Sequence, residues 1–259
     1  MDYFGIYFQT LGIIIFLLTL LWLLSVAITN ASIVDIFWGF GFVVAAACYY
    51  VFTDTQSIRK TLVMTLVSIW GLRLSVYLAW RNLGKGEDFR YQQFRQNYGP
   101  QRYWWFSFFQ VFLLQGILLW IVSAPLLGAQ LGESDPLGVW DFLGVVFWLI
   151  GFAFEAGGDF QLARFKANTA NKGKVLRSGF WKYTRHPNYF GDSAVWWAYA
   201  CFSIAHGSYY SVLGAVIMTA LIIKVSGVSL LEKSLKQNKP EYNDYIQKTS
   251  TFIPWFPKK

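Results

Sequence analysis

The chain has 259 residues, of which 55% are hydrophobic, 20% aromatic and only 14% charged, with a net charge of +8 and a mean hydropathy of +0.37. These values exclude an ordinary soluble domain. The positive charge comes with no nucleic-acid recognition motif, so it fits a chain that meets anionic lipid rather than DNA or RNA.

Apolar runs of the roughly 18–25 residues needed to cross about 30 Å of hydrocarbon recur along the sequence. They fall at 9–28, 33–52, 61–80, 108–130, 138–158, 188–206 and 209–227. This predicts an all-α polytopic membrane bundle of about seven spans in a single domain. The last two runs are separated only by "AHGSYY", so six spans with a re-entrant segment also fit. The first run lacks a cationic flank and a small-residue cleavage pattern, and is expected to stay as an anchor. Cys48 and Cys201 lie inside apolar runs and read as small hydrophobes, not as a disulfide or metal ligands.

Apart from Arg59, Lys60, Arg73 and Lys224, every Lys and Arg falls in three segments: 81–107, 159–187 and the C-terminal tail. The loop "GESDPLGVWD" on the opposite side is acidic. Cytoplasmic loops carry the cationic excess, which places the N-terminus outside and the C-terminus in the cytoplasm, with a bacterial inner membrane as the expected location. On that topology Asp35, Arg73, Glu155, Asp159 and Lys224 all lie in the cytoplasmic half of the bilayer. A charge within a span is costly unless paired or hydrated. Lys224 is long enough to snorkel, whereas Asp35 is short and is expected to face inward.

The stretch "SGFWKYTRHPNYFGD", Ser178 to Asp192, precedes the sixth run on the basic side. Pro187 suits a helix's first turn, and the N–H groups behind it favour an anion. Asn188 and Asp192, four apart, share a helix face, with Trp196 one turn further. Such a segment is either a polar site able to hold a phosphate or an interfacial belt built on Trp181, Tyr183 and Tyr189. Position alone leaves both readings open.

"GFWKYTRHPNYFGD" followed by "WW" resembles the C-terminal signature of the membrane steroid 5-alpha-reductase and sterol C14-reductase group. The likeness extends to "GGDFQLARFKAN" upstream and to the tail "LLEKSLKQNKPEYNDYIQKTSTFIPW". It covers the chain from about residue 140 onward. Residues 1–130 then take the substrate side and 131–259 the cofactor side. The resemblance implies NADPH as cofactor, bound by Asp159, Lys166, Arg185, His186, Asn188, Tyr189, Asp192 and Trp196, with Tyr242 and Tyr245 from the tail. Arg164 and Arg177 are further cations for its phosphates.

The reaction implied is reduction of a conjugated C=C bond in a steroid, sterol, polyprenyl or acyl substrate entering from the bilayer. The group's acid and hydroxyl map to Asp35 and Tyr77 as catalytic residues. Asp35 stands where the group carries Glu, and Val34 where it carries Gln. Burial raises a carboxyl pKa, so Asp35 is expected to be protonated and to polarise an enone oxygen.

"RHPNYFG" is equally similar to the turn of membrane methyltransferases that use S-adenosylmethionine on isoprenylcysteine or phospholipid amines. Those usually carry a Glu-Glu pair in the tail, where this chain has the single Glu232. A non-enzymatic lipid-binding protein is the third reading. "GKGED" reads as a polar loop, Gly39 and Gly41 as close helix packing, and no HExxH or paired-Cys motif points to a metal.

Overall fold

A computed structural model describes residues 3–132, 136–226, 228, 232, 235 and 241–258. The expected tail cations Lys233, Lys236, Lys239 and Lys259, and the acidic Glu133 and Asp135, lie outside the described residues. The described chain is helical. Its extended pairing is a single parallel bridge between Thr184 and Ser250. The chain divides into two compact units, Met1–Pro136 and Leu137–Lys259.

The first unit contains α1 (Tyr3–Ala27), α2 (Ile33–Phe52), α3 (Ile58–Asn82), α4 (Phe89–Tyr98) and α5 (Pro100–Ser107). A π-helical segment (Phe108–Leu113), α6 (Leu114–Val122) and α7 (Ala124–Gln130) complete it. Tyr7 and Trp120 fasten α1 to α6: the rings stack at 4.3 Å, and each side chain donates to the other residue's carbonyl at 2.9 Å. Gly39 and Gly71 let α2 and α3 touch. A Cβ on either would lie 2.4 or 2.6 Å from the other's carbonyl oxygen, and Gly41 is likewise closed off by Leu119. Both expected packing glycines therefore have that role.

The 81–107 segment is more ordered than a loop. Asp88 accepts the Arg90 N–H at 3.0 Å to cap α4, and Pro100 occupies the first turn of α5.

The second unit contains α8 (Val139–Ala167), α9 (Pro187–Ala205), α10 (Val212–Ala220), a π-helical segment (Leu221–Ser226) and α11 (Tyr242–Lys248). Helix α8 runs nine residues past the expected end at 158, because "DFQLARFKA" continues with good helix formers after the apolar stretch ends. Its Gly144, Gly151 and Gly158, spaced by seven, form a seam against α9. A Cβ on them would meet the Phe202 ring at 2.8 Å, the Gly191 carbonyl at 2.7 Å and Pro187 at 3.2 Å. Small residues at such a seam let backbones approach and pack without a solvent-driven hydrophobic force.

Among the described residues, five helical stretches are long and apolar enough to cross a membrane: Tyr3–Ala27, Ile33–Phe52, Ile58–Asn82, Pro100–Gln130 and Val139–Ala167. Tyr209–Val225 is a shorter apolar helix.

Candidate functional site

The opening of α9 is built from its local sequence. Gly179, at φ +61°, starts a 3₁₀ turn (Gly179–Lys182), a backbone region that disfavours side chains. A Cβ there would also strike the Gln161 amide at 2.4 Å, whose oxygen accepts the Phe180 N–H at 3.0 Å. The Trp181 indole donates to the Gly158 carbonyl at 3.1 Å. The turn is thereby pinned to α8. His186 is the N-cap and Pro187 the first helical residue, so the first-turn N–H groups have no intrahelical acceptor.

The tail closes back on this turn. Arg185 is 5% exposed, and its planar fork is filled. Nε donates to Glu232 Oε1 at 2.9 Å, one terminal nitrogen donates to the carbonyls of Ile246 and Thr249, and the other to Thr251 Oγ1 at 2.7 Å. The last also lies 2.7 Å from Glu232 Oε1. The Arg185 N–H donates to the Ser250 carbonyl, and the Trp255 N–H to that of Tyr183, both at 2.9 Å. The Tyr245 hydroxyl donates to the Trp181 carbonyl. Arg177 donates to Asp244 Oδ2 at 2.7 Å and to the Glu241 carbonyl.

Of the expected cofactor residues, the structure thus joins Arg177, Arg185, Tyr242 and Tyr245 into a tail clamp. Tyr242 is buried against this clamp. Burial and the nearby Glu232 push its hydroxyl up to about 12, against the opposing Arg185 charge.

Two further expected residues face the start of α9. Asn188 donates its amide to Asp159 Oδ1 at 3.2 Å, and Asp159 is itself buried. The His186 ring is 1% exposed and stacks on Tyr189 at 5.7 Å with the planes 17° apart. Its Nε2 lies 3.2 Å from Glu232 Oε1, so in the neutral ring that nitrogen carries the proton and Nδ1 is left as an acceptor. Nδ1 is buried and has no hydrogen-bond partner among the described residues. A buried polar atom left unsatisfied is costly and calls for a ligand or a role.

Trp196 is fully buried, edge-on to Tyr199 at 5.4 Å, and Asp192 is half-buried on the same helix. Arg164 and Lys166 are exposed at the polar end of α8.

Burial alone would raise the Glu232 carboxyl, but hydrogen bonds from His186 and Arg185 and the Arg185 charge hold it below the usual range. A depressed folded value contributes stability at every pH above the ordinary carboxylate range of about 4.3, and that contribution is lost as pH falls through the folded value. Pepsin digestion across acid pH is expected to cleave within the tail, residues 241–258, only below about pH 4. Glu232→Gln, which cannot ionise, should leave it cleavable throughout; an unchanged wild-type pattern in the variant would remove Glu232 from the clamp.

In the first unit, Asp35 is paired with two residues of α4. Oδ2 accepts from Arg90 at 2.8 Å and Oδ1 from the Tyr91 hydroxyl at 2.6 Å. Asp88 also holds Arg90, at 2.9 Å. Burial, the Asp35 charge and the hydrogen bond to it all raise the Tyr91 hydroxyl pKa. Tyr77 packs beside Trp80, with the Arg81 guanidinium 5.7 Å from its ring. Sequence reading missed Arg90 and Tyr91 because they sit 55 and 56 residues from Asp35 in a segment that carries no motif.

A family model described as protein of unknown function (DUF1295) matches residues 21–249. An uncharacterized protein of the fission yeast Schizosaccharomyces pombe is 24% identical over 265 residues, covering 90% of this chain and 75% of that protein. No solved structure matches the chain.

Proposed function

The chain belongs to the DUF1295 family, and we propose that it is an integral membrane oxidoreductase that uses NADPH to reduce a conjugated C=C bond of a lipophilic substrate. The family is linked to steroid 5-alpha-reductase-like membrane proteins. The observation that carries the reading is the unpartnered, buried Nδ1 of His186 at the opening of α9. Around it stand a parallel His186–Tyr189 ring pair and an Asn188–Asp159 amide–carboxylate pair.

This set fits a dinucleotide. His186 Nδ1 accepts from an amide N–H, and Asn188 and Asp159 offer a donor and an acceptor to a carboxamide or ribose. The first-turn N–H groups and the exposed Arg164 and Lys166 favour phosphate. Arg185 does not serve as a phosphate ligand here, because its donors hold the tail. When bound, NADPH supplies a hydride to the beta carbon of the conjugated system. The developing oxyanion needs hydrogen-bond donors. Asp35 enters the proposal as the carboxylate that orients the Tyr91 proton, and Tyr77 as the second hydroxyl. The excess of Lys and Arg in the 159–187 segment and the tail supports a cytoplasmic side for both.

Detergent-purified protein is expected to gain thermal stability with NADPH but not with S-adenosylmethionine, by about 2.7 kcal/mol at a hundred times Kd. Asn188→Ala should weaken NADPH binding about tenfold. Stabilisation by S-adenosylmethionine alone would make the same turn a methyl-donor site and overturn the reductase reading.

A further inference from the structure

The end of the first unit that carries the α2–α3 turn holds a cavity of about 950 Å³. Its wall includes Tyr50, Asp54, Gln56, Lys60, Thr61 and Thr65. The first turn of α3 contains Arg59 and Lys60 and no acidic residue, an arrangement that opposes the positive end of the helix dipole. Both cations are nonetheless buried, Lys60 to 5% exposure. The Lys60 ammonium donates to the carbonyls of Thr53 and Thr55, each at 2.7 Å, and sits 4.7 Å from the Tyr50 ring centre. Neither acceptor carries a formal charge. An ammonium has three donors, so one remains for a ligand in the cavity. The Asp54 charge acts on Lys60 only through space, and an oxyanion in the cavity would give the ammonium a charged hydrogen-bond acceptor.

Two more features narrow the ligand. Asp54 lines the same cavity and is exposed, so the wall offers a negative group as well as a positive one. At the mouth, Val51 and Ile58 are 71% and 73% exposed, at the end of one apolar span and the start of the next. A ligand with a phosphate, an adjacent ammonium and an apolar tail matches all three.

We propose that this cavity binds the phosphoethanolamine headgroup of a membrane lipid, with the phosphate on Lys60 and the ammonium on Asp54. A net-anionic headgroup would be repelled by Asp54. A choline headgroup carries no N–H to donate to that carboxylate.

The test is native mass spectrometry of the full chain in mild detergent with equal amounts of phosphatidylethanolamine, phosphatidylcholine and phosphatidylglycerol. The expected result is preferential retention of phosphatidylethanolamine, displaced by soluble phosphoethanolamine. Lys60→Met should reduce that retention about tenfold, through loss of a charge-assisted hydrogen bond. Asp54→Asn should shift the preference toward phosphatidylglycerol. Equal retention of the ethanolamine and choline lipids by the wild type would overturn the proposal. So would binding of soluble phosphoethanolamine by a protein that retains no phosphatidylethanolamine. Should Lys60→Met fail to fold, Asp54→Asn decides, because an unchanged lipid preference in that exposed variant removes the ammonium site.

Discussion

Arg185→Met is expected to detach the tail from the opening of α9 and to cost about 3–5 kcal/mol, the range for removing one partner of a buried ion pair. The substitution preserves much of the side chain's apolar volume. It leaves the Glu232 carboxylate, among the described residues, with His186 alone, and removes a donor from the carbonyls of Ile246 and Thr249. Arg185→Lys should fall between wild type and Met. It keeps the charge, but a single ammonium cannot present the planar fork that reaches Glu232, Thr251 and two carbonyls together. The measurement is thermal unfolding alongside proteolysis of the tail. A variant with wild-type stability and an intact tail, but weakened NADPH binding, would show instead that Arg185 is a phosphate ligand.

Gly191→Val should be comparably damaging through sterics alone. A Cβ at this position would lie 2.4 Å from both the Glu155 nitrogen and the Gly151 oxygen. These are backbone atoms of α8 and cannot rotate away. The helices must separate, which also loosens Gly158 against Pro187 and Gly144 against Phe202. A loss of about 3 kcal/mol, the upper part of the overpacking range, is expected in thermal unfolding. Gly12→Val is the control, since nothing lies within 4 Å of a Cβ there. Equal melting temperatures for the two variants would mean that the α8–α9 seam is not closely packed.

The helical architecture was legible because apolar length alone specifies it. The 33–52 run matches α2 at both ends, and the 188–206 run is displaced from α9 by one residue. The 108–130 run was read short. Its helix begins at Pro100, in an amphipathic stretch whose Arg102, Trp104 and Trp105 hide it from a hydropathy reading.

The contents of the α9 opening were also legible, since Asn188, Tyr189 and His186 are sequence neighbours whose spacing fixes their relation. What the spacing could not convey was the use of Arg185. Its partners lie 47 to 66 residues downstream, and a guanidinium suits a phosphate and a carboxylate equally well. The same holds for Asp35. Burial argued for a neutral carboxyl, and only the fold brings Arg90 and Tyr91 to it.

The distance in sequence between Arg185 and its acceptors also bears on how the second unit is made. The α8–α9 seam can zip as soon as residue 205 is available, because its contacts are between neighbouring helices. The guanidinium, by contrast, must wait until Ile246, Thr249 and Thr251 have been synthesised. During that interval its charge needs water, so the α9 opening stays an unfinished, hydrated turn. Closing a loop of this length carries an entropic cost that is met only once several acceptors engage together. Docking of the tail is therefore the late step in the unit's folding. The dinucleotide site proposed at α9 matures last, after the α8–α9 pair that frames it.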